Sequence, residues 1–432
     1  MATYPLEGVR VLDMCPLFAG NFANSLLADL GAEVIKVESI QYWQYGCRGA
    51  TARPTKQDIM RGGGGWGYWQ NEPGDRPWDR NGGFNTLSRG KLSFTVDLRR
   101  PEGVDVFKRL VKVSDIIVES NAATLLPRLG IDYPVLREVK PDIIVVRMPG
   151  FGLSGPRWSY PASAQTMESA SGHTLLKGYP DVDPVAGGAT SITSDGAAGL
   201  GASVAAMMAL HYRRRTGKGQ LVEFAQAEHF MPLLGQFYMD YILNRRMPTV
   251  MSNRHPSAAP CGCYPCAGSD QWVDITVYND EQWHGFRRAL GDAGWTGDPE
   301  LATVTGRYRK QDEMDKQIAE WTRTRDRYEV MRIMQGQGVP CGPVLSSKDT
   351  FSDQHLKAKG HFQEMSPPAA GTYPEPGIPW RMSRTPLRVQ RPAPMLGQHN
   401  EYIYKEVLGI SDEEYARLEA EGHIGDKPAA HL

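Results

Sequence analysis

Leu26-Leu-Ala-Asp-Leu-Gly-Ala-Glu-Val-Ile-Lys-Val-Glu38 is the stretch whose reading decides the fold. Its first half ends a helix that starts near Ala19, with Phe22, Leu26, Leu27 and Leu30 on one face at helical spacing. Gly31 stops that helix, because glycine takes the left-handed conformation at a helix end without penalty. Glu33-Val-Ile-Lys-Val-Glu38 then reads as a strand. Before the helix, Val9-Arg-Val-Leu-Asp13 is another short β-rich run. Strand, helix and strand within thirty residues make one βαβ unit, which places the two strands parallel.

The pattern continues outward. Ser93-Phe-Thr-Val-Asp97 reads as a strand, and Pro101 opens a helix to about Val111. Asp115-Ile-Ile-Val-Glu119 and Asp142-Ile-Ile-Val-Val-Arg147 are apolar runs of the kind buried on both sides of a parallel sheet. The expected class is α/β, a Rossmann-like sheet covered by helices on both faces. Gln220 to Phe224 is a further strand and Gln226 to about Asn244 one long helix. From Gln271 to Gly338 the sequence reads as a smaller α+β unit. It has a strand at Gln271–Val277 and helices near Asp280–Leu290, Gln311–Thr322 and Arg327–Gln335. The proline-rich stretch beyond Pro343, with Pro367, Pro368, Pro374, Pro376, Pro379, Pro386, Pro392 and Pro394, reads as an extended segment laid on a surface. The expected division is a large domain of 1–220 with 343–432, and a linker helix plus small domain of 221–342. Gln41 to Asn85 is rich in Gly, Trp, Tyr and Arg and reads as a long loop or insertion.

The chain has 432 residues, with 48 basic and 49 acidic side chains, so no global field favours nucleic acid or an anionic membrane. Its start, Met1-Ala-Thr-Tyr-Pro-Leu-Glu, has neither the basic region nor the apolar run of a secretory leader. Six cysteines in so long a chain make no disulfide framework, and a cytoplasmic location is the expectation. Cys261-Gly-Cys-Tyr-Pro-Cys266, with His255 nearby, matches no common zinc spacing and reads as structural cysteines. No metal site is expected. Arg61-Gly-Gly-Gly-Gly-Trp-Gly67 lacks the Lys-Ser/Thr ending of a phosphate loop and reads as a flexible loop.

Chemistry is expected at Asp195. It ends the run Gly187-Gly-Ala-Thr-Ser-Ile-Thr-Ser-Asp195 and precedes a small-residue helix, Gly196 to about Arg213. An N-cap role would suffice to explain it. A carboxylate there also faces backbone N–H groups and the positive helix end, which favours its ionised form and offers donors to an oxyanion. It can then act as a nucleophile toward an acyl group. Arg89 and Lys91 just before a strand, and Arg128 just after one, stand where basic side chains of α/β folds meet phosphates. Asn253-Arg-His-Pro-Ser-Ala-Ala-Pro260 reads as a turn or as a loop closing over a ligand.

Taken together the segments resemble the family III CoA-transferases, the group that includes formyl-CoA and carnitine CoA-transferases and α-methylacyl-CoA racemase. The resemblance rests on Leu12-Asp13, Ala19-Gly20 and Leu26–Glu38, on Lys91-Leu-Ser with Asp97-Leu98, and on Arg128-Leu-Gly-Ile. It continues through Gly150-Phe-Gly-Leu-Ser-Gly-Pro156, Arg215-Thr-Gly-Lys-Gly-Gln220, Asn253-Arg-His-Pro, Gly338-Val-Pro-Cys-Gly-Pro343, Ser383-Arg-Thr-Pro386 and Leu396-Gly-Gln-His399. It implies a Rossmann-like large domain built from both chain ends, a small domain between them, and two chains threaded as interlocked rings. Asp195 falls on the family's catalytic aspartate. Coenzyme A or acyl-CoA, the co-substrate, is implied against Leu17, Phe18, Ala19, Arg89, Lys91, Asn121, Leu125 and Arg128. Glu168, Gly196 and the lid residues His255, Pro256, Ser257 and Ala258 are implied on the substrate side.

The implied reaction moves CoA from an acyl-CoA to a carboxylic acid through an aspartyl anhydride and an aspartyl-CoA thioester. Departures narrow it. Ser163 and Ala164 stand where the racemases carry His-Asp, which leaves racemisation a minor reading. Ala164 also replaces the acidic residue of the formate-type enzymes, and Glu168 lies one turn further along. The family's Asn-Phe-Arg-Pro-Gly turn reads Ser120-Asn-Ala-Ala-Thr124. These losses also fit a subunit of a heteromeric transferase of the benzylsuccinate type, so both a homodimer and a heteromer with a homologous chain are carried forward.

Overall fold

In the computed structural model, the described residues are 4–61, 67–183 and 193–432. The glycine-rich Gly62–Trp66 and the Gly187–Ile192 part of the loop before Asp195 lie outside them. The chain divides into two units. Of the described residues, the first holds 4–173, 193–246 and 358–432, and the second holds 174–183 and 247–357.

The first unit is an α/β layer. Six strands, β1 (Arg10–Met14), β2 (Glu33–Glu38), β3 (Leu92–Thr95), β4 (Ile116–Glu119), β5 (Ile144–Arg147) and β6 (Leu221–Glu223), form one sheet in the order β3-β2-β1-β4-β5-β6. All five pairings are parallel; Val11 faces Val34 on one side and Ile116 on the other. The chain winds one way from β1 to β3 and the other way from β4 to β6, so the direction reverses between β1 and β4. In open parallel sheets ligands bind beyond the carboxyl ends of the strands at that reversal.

Neighbouring residues of a strand point to opposite faces, and the two faces carry two cores. Leu12, Ile35, Phe94, Ile117 and Val145 pack with helix residues Phe107 and Leu110 on one side. Val11, Val34, Ile116 and Ile144 pack on the other with Ala23 and Leu27 and with Ala198, Ala202, Ala206 and Ala209. Four helices matter below: α1 (Phe18–Asp29), α2 (Pro101–Lys112), α3 (Ala164–Ala170) and α4 (Thr193–Thr216). The small residues of α4 have a steric reason. A Cβ on Gly199 would sit 2.7 Å from the Ala19 carbonyl oxygen and 2.8 Å from Phe22, so only glycine lets α4 lie this close to α1.

Three expectations are corrected. Helix α4 begins at Thr193, so Asp195 is the third residue of its first turn and not its N-cap. The helix expected over Gln226–Asn244 is interrupted: Met231–Leu234 is a tighter 3₁₀ segment that includes Pro232, and the helix resumes at Gly235–Asn244. The C-terminal stretch is more than a surface strap. Ile403, Tyr404, Ile410, Leu418 and Ile424 enter the α2 side of the core.

The insertion is organised around a buried cation. Arg48 donates to both Glu38 oxygens, at 2.6 and 2.9 Å, and to Asp79 at 2.6 Å, with its guanidinium 3.7 Å from the Phe84 ring centre.

The second unit has an antiparallel sheet of β7 (Cys261–Pro265), β8 (Trp272–Thr276) and β9 (Cys341–Pro343), with helices Asp280–Ala289, Gln311–Arg323 and Arg327–Gly336. Val273, Ile275, Phe286, Ile318 and Met334 are fully buried between them. Cys266 and Cys341 are buried, while Cys261 and Cys263 are half-buried on the strand. Among the described residues no group of three or more His, Cys, Asp or Glu side chains converges as metal ligands would, and no helix is long and apolar enough to cross a membrane.

Candidate active site

The ends of β1, β4 and β5 are tied together by one buried ion pair. Arg147 at the end of β5 donates from Nε to Glu119 at the end of β4 over 2.6 Å and from Nη2 to the Ala123 carbonyl over 2.8 Å. Glu119 in turn accepts the Asn121 backbone N–H at 2.9 Å. The Asn121 side chain closes the set by donating to the Met14 carbonyl at 2.7 Å. Burial pushes the Glu119 carboxyl up, against the opposing charge of Arg147. A buried, fully bonded pair of this kind costs desolvation but fixes geometry. Here it fixes the loop Ser120–Ala123 against the turn Cys15–Leu17.

Two cavities open over these loops. One, of about 300 Å³, is lined by Leu17, Ala19, Ser120–Ala123, Pro149, Gly150, Trp158, Tyr160–Ala164, Met167, Gln226 and Asp195. The other, of about 610 Å³, is lined by Tyr42, Gln44, Tyr45, Leu98, Arg99, Leu125, Arg128 and Leu129. Both include Pro16, Leu17 and Asn121.

Asp195 reaches the first cavity because α3 and α4 meet there. Ser163 caps α3 in a reciprocal capping box with Thr166. That helix carries Glu168, which is buried and accepts the Ser194 backbone N–H at 3.0 Å. His173 Nδ1 lies 3.1 Å from the other Glu168 oxygen. Glu168 therefore takes one of the N–H groups left open at the start of α4. Beside it the Asp195 carboxyl is pushed up to about 6, by burial first and by the negative charge of Glu168 second. The sequence reading expected the helix end to keep Asp195 readily ionised. Burial and a like charge outweigh the dipole, because a terminal dipole contributes only fractions of a unit charge. A Cβ placed on Gly196 would meet no described atom within 4 Å outside its own helix turn and chain neighbours.

The other expected residues separate into groups. Leu17, Ala19 and Asn121 line the Asp195 cavity, and Leu125 and Arg128 line the adjoining one. Phe18 lines neither and packs its ring on Phe22, with centroids 5.9 Å apart. Arg89 and Lys91 also line neither cavity. Arg89 is buried between Asp29 at 3.0 Å and Glu375 at 3.2 Å. Lys91 is buried against Asp13 at 2.8 Å and the Asn21 carbonyl at 2.9 Å, beside Lys36, which donates to the Cys15 carbonyl at 2.9 Å. A lysine so enclosed has no donor left for a phosphate. His255, Pro256, Ser257 and Ala258 belong to the second unit. They form a tight turn in which the Ser257 N–H donates to His255 Nδ1 at 3.2 Å, and Ala258 is fully buried.

Trp158, Tyr160, Met167 and Gln226 at the first cavity, and Tyr42, Tyr45 and Arg99 at the second, were not singled out from the sequence. Their signal was positional: each follows a strand of the sheet, or the loop after it, on the ligand-binding edge.

A sequence model described as CoA-transferase family III matches residues 6–400. The chain is 33% identical over 418 residues to the succinyl-CoA–D-citramalate CoA-transferase of Chloroflexus aurantiacus, covering 96% of this chain and 97% of that one. It is 30% identical over 441 residues to the formyl-CoA:oxalate CoA-transferase of Rhodopseudomonas palustris, covering 97% of each. Its structure is similar to that of a CAIB/BAIF family protein from Brucella suis, with a TM-score of 0.79 and 28% identity over 94% of this chain and 99% of that one.

Proposed function

The chain belongs to CoA-transferase family III, and on that premise we propose that it moves CoA from an acyl-CoA to a carboxylic acid by covalent relay through Asp195. The observation that carries the reading is a carboxylate with a raised proton affinity in a cavity at the ligand-binding edge of the sheet. The adjoining cavity contains Arg128 and Arg99, which suit the phosphates of CoA. CoA then enters over Leu17 and Asn121, which line both cavities, and presents its thioester at Asp195.

Ionised Asp195 attacks the thioester carbonyl, giving a mixed anhydride and CoA thiolate. The thiolate attacks the aspartyl carbonyl, releases the donor acid and forms an aspartyl-CoA thioester. The acceptor carboxylate attacks that carbonyl and displaces thiolate, giving a second anhydride. Thiolate finally attacks the acceptor's acyl carbon and frees Asp195. No step discards the thioester's energy to water. Backbone N–H groups at the start of α4, beside Gly196, are the donors we assign to the oxyanions.

The test is intact mass after incubation with acyl-CoAs and hydroxylamine. A hydroxamate mapped to Asp195 is the expected result; full turnover by Asp195→Ala would overturn the mechanism.

We propose further that the sheet is Rossmann-like in use as well as in order, and that two chains pair as interlocked rings. Helix α4 presents Leu200, Val204, Met208 and Tyr212 to solvent at four-residue spacing, with Met208 68% exposed. Such a stripe suits burial by a second copy. Sedimentation of the chain alone as a monomer would count against a homodimer and for a heteromer.

A further inference from the structure

We infer that the acid handled at Asp195 is an apolar, ring-bearing monocarboxylic acid. This deepens, and rests on, the proposed transferase reading. Beyond Asp195 the cavity is lined by Leu17, Trp158, Tyr160, Pro161, Met167 and small residues, and its other polar groups are uncharged: Ser120, Ser163, Asn121, Gln226, the Tyr160 hydroxyl and the Trp158 indole N–H. Among the described residues none of its lining is lysine, arginine or histidine. Arg157 precedes Trp158 in the chain but does not line the cavity.

Charge decides between acid classes. Every acceptor brings one carboxylate to the reacting carbon, so that charge does not discriminate. A dicarboxylate brings a second, which must be desolvated and paired. Here it would find no cation among the described lining, and it would lie near Asp195 and the buried Glu168. An aromatic ring meets the reverse situation. Trp158 and Tyr160 are 40% and 59% exposed, and both face the cavity from the turn after Gly150. A ligand ring can cover that apolar surface and stack edge-on or offset against both side chains. The named relatives act on oxalate and citramalate, so the inference separates this chain from them in substrate.

Identity exchange tests it without assuming a donor. Each acyl-CoA is incubated with its own isotopically labelled free acid, and label entering the thioester is followed. The probes are 3-phenylpropanoate, succinate and oxalate. The expected result is exchange of 3-phenylpropanoate at least tenfold above the other two in kcat/KM. Faster exchange of succinate or oxalate overturns the inference and leaves the transferase function standing. Exchange of no acid, with CoA still binding, overturns the transferase reading itself. Trp158→Ala supplies the second readout: the ratio of kcat/KM for 3-phenylpropanoyl exchange to that for acetate exchange should fall about tenfold, the worth of a lost aromatic contact. Equal loss for both acids would make Trp158 structural and overturn its role in specificity.

Discussion

Asp195→Asn should abolish transfer and, at neutral pH, make the protein more stable. The carboxyl rises from 3.8 to about 6 on folding, by burial and by the charge of Glu168. The folded protein therefore holds that proton more tightly than the unfolded chain. A raised carboxyl subtracts stability: nothing is lost below the unfolded value, and the full cost is present above the folded value. A difference of about two pH units corresponds to about 3 kcal/mol at 1.36 kcal/mol per unit. Asp195 is only partly buried, so solvent screening reduces this to about 1–3 kcal/mol. The asparagine has no charge to desolvate, and any packing change it brings does not depend on pH. Urea unfolding of both proteins at pH 7.5 and pH 5.0 isolates the titrating part. The advantage of Asp195→Asn should be largest at pH 7.5 and fall to about half at pH 5.0. An advantage that is the same at both pH values, or grows toward acid, would refute the argument that the nucleophile is held against its own desolvation. The same value sets the activity profile. Wild-type kcat/KM should fall tenfold per unit below about pH 6 as Asp195 takes up its proton.

Glu168→Gln keeps an acceptor for the Ser194 N–H but removes the charge. Because Glu168 is the smaller of the two causes of the shift, the acid limb of kcat/KM should move down by at most about one unit; an upward move would contradict it. Lys91→Met leaves Asp13 with only Lys36, at 3.6 Å, as a counter-charge and should cost about 3 kcal/mol in urea unfolding, with CoA affinity of the folded protein unchanged. Loss of CoA affinity at full stability would restore Lys91 to the ligand site. Arg128→Gln should weaken CoA binding about tenfold and flatten its salt dependence, with little change in kcat; isothermal titration at two salt concentrations reads both.

The sheet was legible because its strands are short apolar runs separated by helices with proper starts and stops. Glu33–Glu38 has the bounds the sequence gives it, and Pro101 opens its helix. Those signals are local. What the sequence does not show is non-local. Arg89 and Lys91 look like solvated cations before a strand, yet the partner that encloses Arg89 is Glu375, 286 residues away. No window of sequence contains both. The C-terminal stretch fails for the same reason: Tyr404 and Leu418 are core only because another segment's apolar face meets them.

The cations and anions at the strand ends show why residue type alone misplaces a binding site here. Asp13, Glu38 and Glu119, each at or near the end of a strand, are buried carboxylates, and each faces buried Lys or Arg: Lys36 and Lys91, Arg48, and Arg147. Charges so enclosed are spent on one another and on holding the loops at the strand ends. Lys36 fixes the Cys15 carbonyl, and the Glu119–Arg147 pair fixes Asn121 and Ala123. The cavity-facing groups of the same loops are mostly uncharged: Leu17, Asn121, Ala122 and Pro149. Among the described lining residues the one charge facing the small cavity is Asp195, and its proton affinity is raised by burial first and by the charge of Glu168 second. An unpaired carboxylate at this edge is thus distinguished from the paired ones by its neighbours, which is information that the fold supplies and the sequence position does not.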